Sequence, residues 1–158
     1  MVPYCSDINL EIQLNDTPGY PLVTRGFYYC ARMISEQYGT IFTDEHYEKI
    51  QKAYSIWICP DPAKKRKNGI FKYHTIEDTI LGKSYTDPQS YDLMEVVIVN
   101  LGDADKESEL EILDLLNILF STSATPEEKK LYRFNVSRKI GFKTDVIIYS
   151  LILDSVCL

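Results

Sequence analysis

The sequence lacks paired cysteines, a membrane-length apolar run, internal repeats and any excess of positive charge. Each absence removes a class of protein. Four cysteines (Cys5, Cys30, Cys59, Cys157) are scattered over 158 residues with no CxxC spacing. That argues against a zinc site or a disulfide framework and for free thiols in a reducing cytoplasm. No basic segment followed by an apolar run opens the chain, so no signal peptide is expected. The most apolar stretch, Val146 to Leu158, has 13 residues and contains Asp154, too short to cross a bilayer. The expectation is a soluble cytoplasmic protein with no membrane partner. Repeats and low-complexity segments are missing, which excludes solenoids and compositional disorder.

With 45% hydrophobic and 25% charged residues, the chain can bury a core, and its length suits one domain over 1–158. Tyrosine is frequent, at 12 residues, and suits half-buried positions where the ring packs and the hydroxyl finds a polar partner. The formal net charge of −6 argues against a surface coated in cations but leaves a carboxylate-based nuclease open. Charge distribution says more than the sum. Lys64, Lys65, Arg66 and Lys67 form a short basic run; Lys129, Lys130, Arg133, Arg138, Lys139 and Lys143 form a looser cluster; Asp103 to Asp114 is acidic. The basic groups read either as phosphate contacts or as solvated surface.

Ile8 to Leu14 alternates, with Ile8, Leu10, Ile12 and Leu14 on one face and Asn9, Glu11 and Gln13 on the other, the pattern of a strand. The turn Thr17-Pro18-Gly19-Tyr20-Pro21 leads into a helix from about Pro21 to Tyr38, capped by Gly39. Its expected core stripe is Val23, Phe27, Cys30, Ala31, Ile34 and Tyr38. Thr43 should cap a short helix to about Gln51. Tyr54–Cys59, Phe71–Glu77 and Met94–Leu101 read as strands, the last buried on both faces. A helix is expected from about Lys106 to Phe120. Thr125-Pro126-Glu127-Glu128 is a capping box that opens another. Lys143 to Leu158 reads equally as helix or strand. The sum is one α/β domain.

Glu11-Ile12-Gln13 is the triplet with chemical content. A strand can offer the Glu11 carboxylate and the Ile12 carbonyl to a hard cation, while Gln13 orients water. Taken alone the pattern also fits an ordinary solvent-facing strand. Its setting is more specific. The run N-L-E-I-Q-L-N-D-T-P-G-Y-P-L-V-T-R-G-F-Y-Y-C-A-R-M-I-S-E-Q-Y-G-T-I-F-T from Asn9 to Thr43 resembles the PD-(D/E)XK nuclease family transposases, relatives of the recombination-promoting nucleases of bacteria. So do Tyr54–Cys59, Tyr91–Gly102 and Leu113–Ser121. The resemblance covers about Asn9 to Lys130, leaving 131–158 divergent.

The resemblance implies a restriction-endonuclease-like core, with a mixed central sheet flanked by helices, that cuts DNA with Mg2+ or another divalent cation. It implies Glu11 and the Ile12 carbonyl as metal ligands and Gln13 as the active-site amide. Arg25, Lys64, Lys65, Arg66 and Lys67 would contact DNA, with Tyr28 or Tyr29 supporting the site; a helix-surface Arg25 and core tyrosines are the other reading. The family's first catalytic Asp comes from an upstream strand, and only eight residues precede Asn9. That strand and the first helix are therefore expected to be missing or shortened. Asp7 cannot replace it, lying about 13 Å from Glu11 along one extended strand. Two readings remain open: a nuclease completed from elsewhere, or an inactive remnant that acts only as a folded oligomeric or DNA-binding domain. Pairing of the exposed N-terminal strand with another copy would give a homodimer or higher oligomer.

Overall fold

The computed structural model describes residues 7–14, 17–103, 108, 110–121 and 124–131. Within them lie strand β1 (Asp7–Ile12), helix α1 (Leu22–Glu36), strands β2 (Ala53–Cys59), β3 (Gly69–His74) and β4 (Met94–Asn100), helix α2 (Glu111–Phe120) and a short helix α3 over 126–131. The sheet is mixed, flanked by helices, with strand order β1-β2-β4-β3. β1 runs parallel to β2, with Glu11 opposite Trp57. The Ala53 amide donates to the Leu93 carbonyl and the Leu101 amide to the Cys59 carbonyl, so β2 and β4 are parallel too. Both are central, and burial on both faces explains their continuous apolar runs.

The chain divides into two compact units. The first comprises Met1–Ile12, Thr17–Ile58 and Ile70–Ile98, and its core is built around Cys30, Ile56, Trp57, Val96 and Val97. The second comprises Gln13–Asp16, Cys59–Gly69 and Val99–Leu158, with Leu101, Leu113, Leu115 and Leu116 buried.

Several boundaries and faces differ from expectation. β1 ends at Ile12, and both Ile12 and Leu14 are exposed, because an edge strand buries its apolar face incompletely. In α1 the buried residues are Leu22, Gly26 and Cys30; of the expected stripe Cys30 is buried, Val23, Phe27 and Ile34 are half-buried, and Ala31 and Tyr38 are exposed. Gly26 sets this rotation. A Cβ there would lie 2.4 Å from Val96 Cγ1 and 3.2 Å from Trp57 Nε1, so the helix backbone sits directly on β2 and β4. Gln37 follows α1 and is buried. Its amide donates to Asp7 Oδ2 (2.8 Å) and the Gln51 carbonyl (2.9 Å), and its oxygen accepts from the Gln51 amide. Gly39 takes the left-handed φ of 83° that a helix C-terminus favours.

The helix expected from Thr43 is reduced to a single 3₁₀ turn at Tyr47–Lys49, since Asp44 adopts φ 53° and breaks the first turn. β3 begins earlier and ends earlier than predicted, at Gly69 and His74. Helix α2 starts at Glu111; 104–107 and 109 lie outside the described residues, as do 132–158 with Arg133, Arg138, Lys139 and Lys143 of the second basic cluster. The capping box at Thr125 forms in full. The Thr125 amide donates to Glu128 Oε2 (2.7 Å) and the Glu128 amide donates to Thr125 Oγ1 (3.2 Å).

Candidate functional site

Glu11 projects from edge strand β1 with its side chain one-third exposed. Across the ladder lies Trp57, the only tryptophan, whose indole N–H donates to Ser55 Oγ (2.9 Å). Asn9 Nδ2 donates to the same hydroxyl at 3.4 Å, which ties this β1 position to a β2 side chain.

Arg25 reaches this face from α1. Its Nε and Nη2 donate to the Tyr29 hydroxyl (3.1 and 2.7 Å) and its Nη1 to the Tyr20 hydroxyl (2.9 Å). The guanidinium lies 4.9 Å from the Trp57 ring centre and 5.2 Å from that of Tyr29. The Tyr29 and Trp57 rings are themselves 5.7 Å apart. Nη2 then stands 3.6 Å from Glu11 Oε2. The hydrogen bonds the guanidinium donates to Tyr29 raise the Arg25 pKa, burial opposes this, and the bond to Tyr20 adds to the rise. Two phenols and an aromatic floor thus fix a permanent cation, in the planar geometry that suits an oxyanion. Tyr28 is exposed, its ring 5.9 Å from that of Tyr29, and the phenols that accept from Arg25 are those of Tyr29 and Tyr20. Sequence reading passed over Tyr20 because it sits in the turn before α1; its spacing of five from Arg25 is the available signal.

Beside this pair lies an open concavity of about 280 Å³ lined by Asn9, Glu11, Tyr29, Arg32, Met33 and Glu36. Glu36 is paired with Arg32 at 3.2 Å. Both carboxylates lining the concavity therefore already have an arginine neighbour. Among the described residues no three His, Cys, Asp or Glu side chains come together in a way that could hold a metal ion. The Asp7 carboxylate accepts from Gln37. A hard divalent cation takes several oxygen donors, so the described residues do not by themselves fit one.

Gln13 follows the end of β1 and is half-buried. The basic run lies in the second unit as a 3₁₀ turn, Lys64–Arg66, followed by Lys67. Lys64 and Lys65 are exposed, Arg66 and Lys67 half-buried, and Lys67 Nζ pairs with Asp103 Oδ1 at 2.5 Å.

Sequence reading also missed a charged cluster in the first unit. Lys52 Nζ sits 2.7 Å from Asp92 Oδ2 and 2.8 Å from Glu95 Oε2, with His74 Nδ1 3.4 Å from Asp92. The signal was present: Glu95 is a lone carboxylate inside an apolar β4, and such a residue requires a buried cation.

The structure thus combines an α/β fold with a strand-borne glutamate facing an arginine held by two tyrosines. The particular family follows from comparison. A family model described as PD-(D/E)XK nuclease family transposase matches residues 5–141 of the 158-residue chain. The chain belongs to that family. No curated protein matches it, and no solved structure does. Among the described residues no helix is long and apolar enough to cross a membrane.

Proposed function

We propose that this chain is a DNA endonuclease domain that engages the phosphodiester backbone through Arg25 beside Glu11. Its cutting would depend on a second carboxylate from outside the described residues. The observation that carries the reading is the clamp: a guanidinium held by Tyr20, Tyr29 and Trp57, 3.6 Å from a strand carboxylate. Membership of the nuclease family supplies DNA as the partner. Glu11, the Ile12 carbonyl and Gln13 keep the roles that the family resemblance gives them. PD-(D/E)XK nucleases generally use divalent metals, but the described residues do not complete such a site, and no catalytic step is assigned through one.

The test is plasmid relaxation by the purified chain in Mg2+ or Mn2+, beside Glu11→Ala. Nicking that disappears in the variant is the expected result. Duplex binding without nicking above the variant's background would leave the second reading, a folded DNA-binding domain without chemistry. What favours that second reading is specific: among the described residues no further carboxylate joins Glu11 without an arginine of its own.

The missing carboxylate and the edge position of β1 point the same way. In the order β1-β2-β4-β3 one side of β1 has no strand partner among the described residues, and Ile12 and Leu14 are 53% and 77% exposed. A second copy pairing along this edge would cover both and bring another chain's acidic residues close to Glu11. Light scattering that shows a monomer at high concentration would remove this part of the proposal.

A further inference from the structure

The second unit contains a polar device that neither the family nor the basic run accounts for. Helix α2 buries Ile112, Leu113, Leu115 and Leu116, yet its next residue, Asn117, is polar and only 3% exposed. A buried amide is costly unless bonded, and this one is bonded at both ends. Asn117 Oδ1 accepts from the Gly102 amide at 2.8 Å, and Nδ2 donates to Asn68 Oδ1 at 3.2 Å. Asn68 directly follows the basic run and adopts a left-handed φ of 57°, a conformation asparagine tolerates. Its amide fits only because residue 102 is glycine: a Cβ there would lie 1.9 Å from Asn68 Oδ1.

The turn is tied at further points. The Arg66 amide donates to the Ala63 carbonyl (2.7 Å), and the Leu101 amide donates to the Cys59 carbonyl (3.0 Å). Lys67 pairs with Asp103, one residue beyond Gly102. Of the four cations, Lys67 is thus spent on an internal tie, whereas Lys64 and Lys65 are exposed at adjacent positions.

We propose that Asn68, Gly102 and Asn117 are positioning residues that clasp the 60–67 turn so that Lys64 and Lys65 contact consecutive backbone phosphates of DNA. Lys67 would serve as a structural tie. This rests on the DNA reading above and deepens it by dividing the basic run into contacts and supports.

The experiment is fluorescence anisotropy of a short labelled duplex, titrated over a range of salt concentrations. Lys64→Ala and Lys65→Ala should each lower the magnitude of the log K against log salt slope by about 1. Asn117→Ala and Asn68→Gly should weaken binding several-fold. Their losses should not add to those of a Lys64→Ala/Lys65→Ala chain, because the clasp acts through the same two contacts. Asn68→Gly keeps the left-handed backbone on an exposed residue while removing the amide, so it decides the matter if Asn117→Ala fails to fold. Wild-type affinity in Asn68→Gly, or a loss that adds fully to the lysine loss, overturns the clasp while leaving DNA binding intact. No binding by the wild-type chain overturns the DNA reading and the clasp with it.

Discussion

Lys52→Met tests the buried charge cluster most directly. Methionine keeps most of the apolar stem but removes the ammonium that bridges Asp92 (2.7 Å) and Glu95 (2.8 Å). Asp92 would retain His74 at 3.4 Å and the Thr75 amide at 3.0 Å. Glu95 would retain nothing comparable: its side chain is 5% exposed, and its Oε1 already lacks a hydrogen-bond partner. Removing one member of a buried ion pair costs about 3–5 kcal/mol. Lys52 is itself 24% exposed, and water reaching the gap places the loss at the lower end, about 3 kcal/mol. That is a large part of a typical stability of about 5–15 kcal/mol. Urea unfolding followed by circular dichroism at pH 7 would show a lower midpoint with an unchanged slope. Lys52→Met/Glu95→Gln should recover a substantial part of the loss, since it removes the stranded charge. A loss below about 1 kcal/mol, or a double variant no more stable than the single one, would refute the reasoning.

The same cluster should shape the pH profile. Burial alone would push Asp92 up, but the bonds from Lys52 and the Thr75 amide outweigh it and hold the carboxyl below its ordinary value. Its contribution is therefore full above the ordinary aspartate pKa of about 3.9 and is lost as pH falls through the lower folded value. For Lys52, burial pulls down while Asp92 and Glu95 pull up and prevail, so its contribution is lost only as pH rises past the ordinary lysine range. Melting temperature against pH should show a plateau between these limits, and Asp92→Asn should flatten the acid side. Gly26→Ala should destabilise the chain by up to about 2 kcal/mol, because overpacking against Val96 and Trp57 exceeds the roughly 1 kcal/mol of helix propensity gained; a raised melting temperature would contradict it. Cys30, pushed up to about 11 by burial, and Cys59, 1% exposed, should resist iodoacetamide at pH 8 and react in urea. Peptide mass mapping of the native, labelled chain would show either cysteine modified if that is wrong.

Elements defined by repeating local patterns were legible in the sequence. The alternation of Ile8–Leu14 located β1, the proline–glycine punctuation bracketed α1, and Thr125 to Glu128 announced a cap that forms as read. Contacts between distant segments were not. Apolar bulk placed Phe27, Ala31 and Tyr38 on α1's inner face beside Cys30; Cys30 is buried there, but Ala31 and Tyr38 are exposed and the helix docks through Gly26. A one-dimensional pattern weighs what a side chain adds and overlooks what its absence permits. The candidate site shows the same division. Glu11 and Arg25 were singled out from the sequence and the structure brings them within 3.6 Å, whereas Tyr20 entered only through geometry, as did the pairing of Lys67 with Asp103. Lys52, His74 and the Asp92–Glu95 pair lie on three separate segments whose meeting no local window contains.

The placement of Trp57 has an optical consequence. It is the single tryptophan, fully buried, with a charged guanidinium 4.9 Å from its ring centre and the Tyr29 ring 5.7 Å away. Any ligand that draws Arg25 toward itself changes the field across the indole and the distance over which Tyr29 passes its excitation. The protein therefore carries its own unlabelled emission probe of the Glu11 pocket. Quenching or a spectral shift on addition of an oligonucleotide would report engagement at that pocket, separately from contacts made by the lysines of the 60–67 turn.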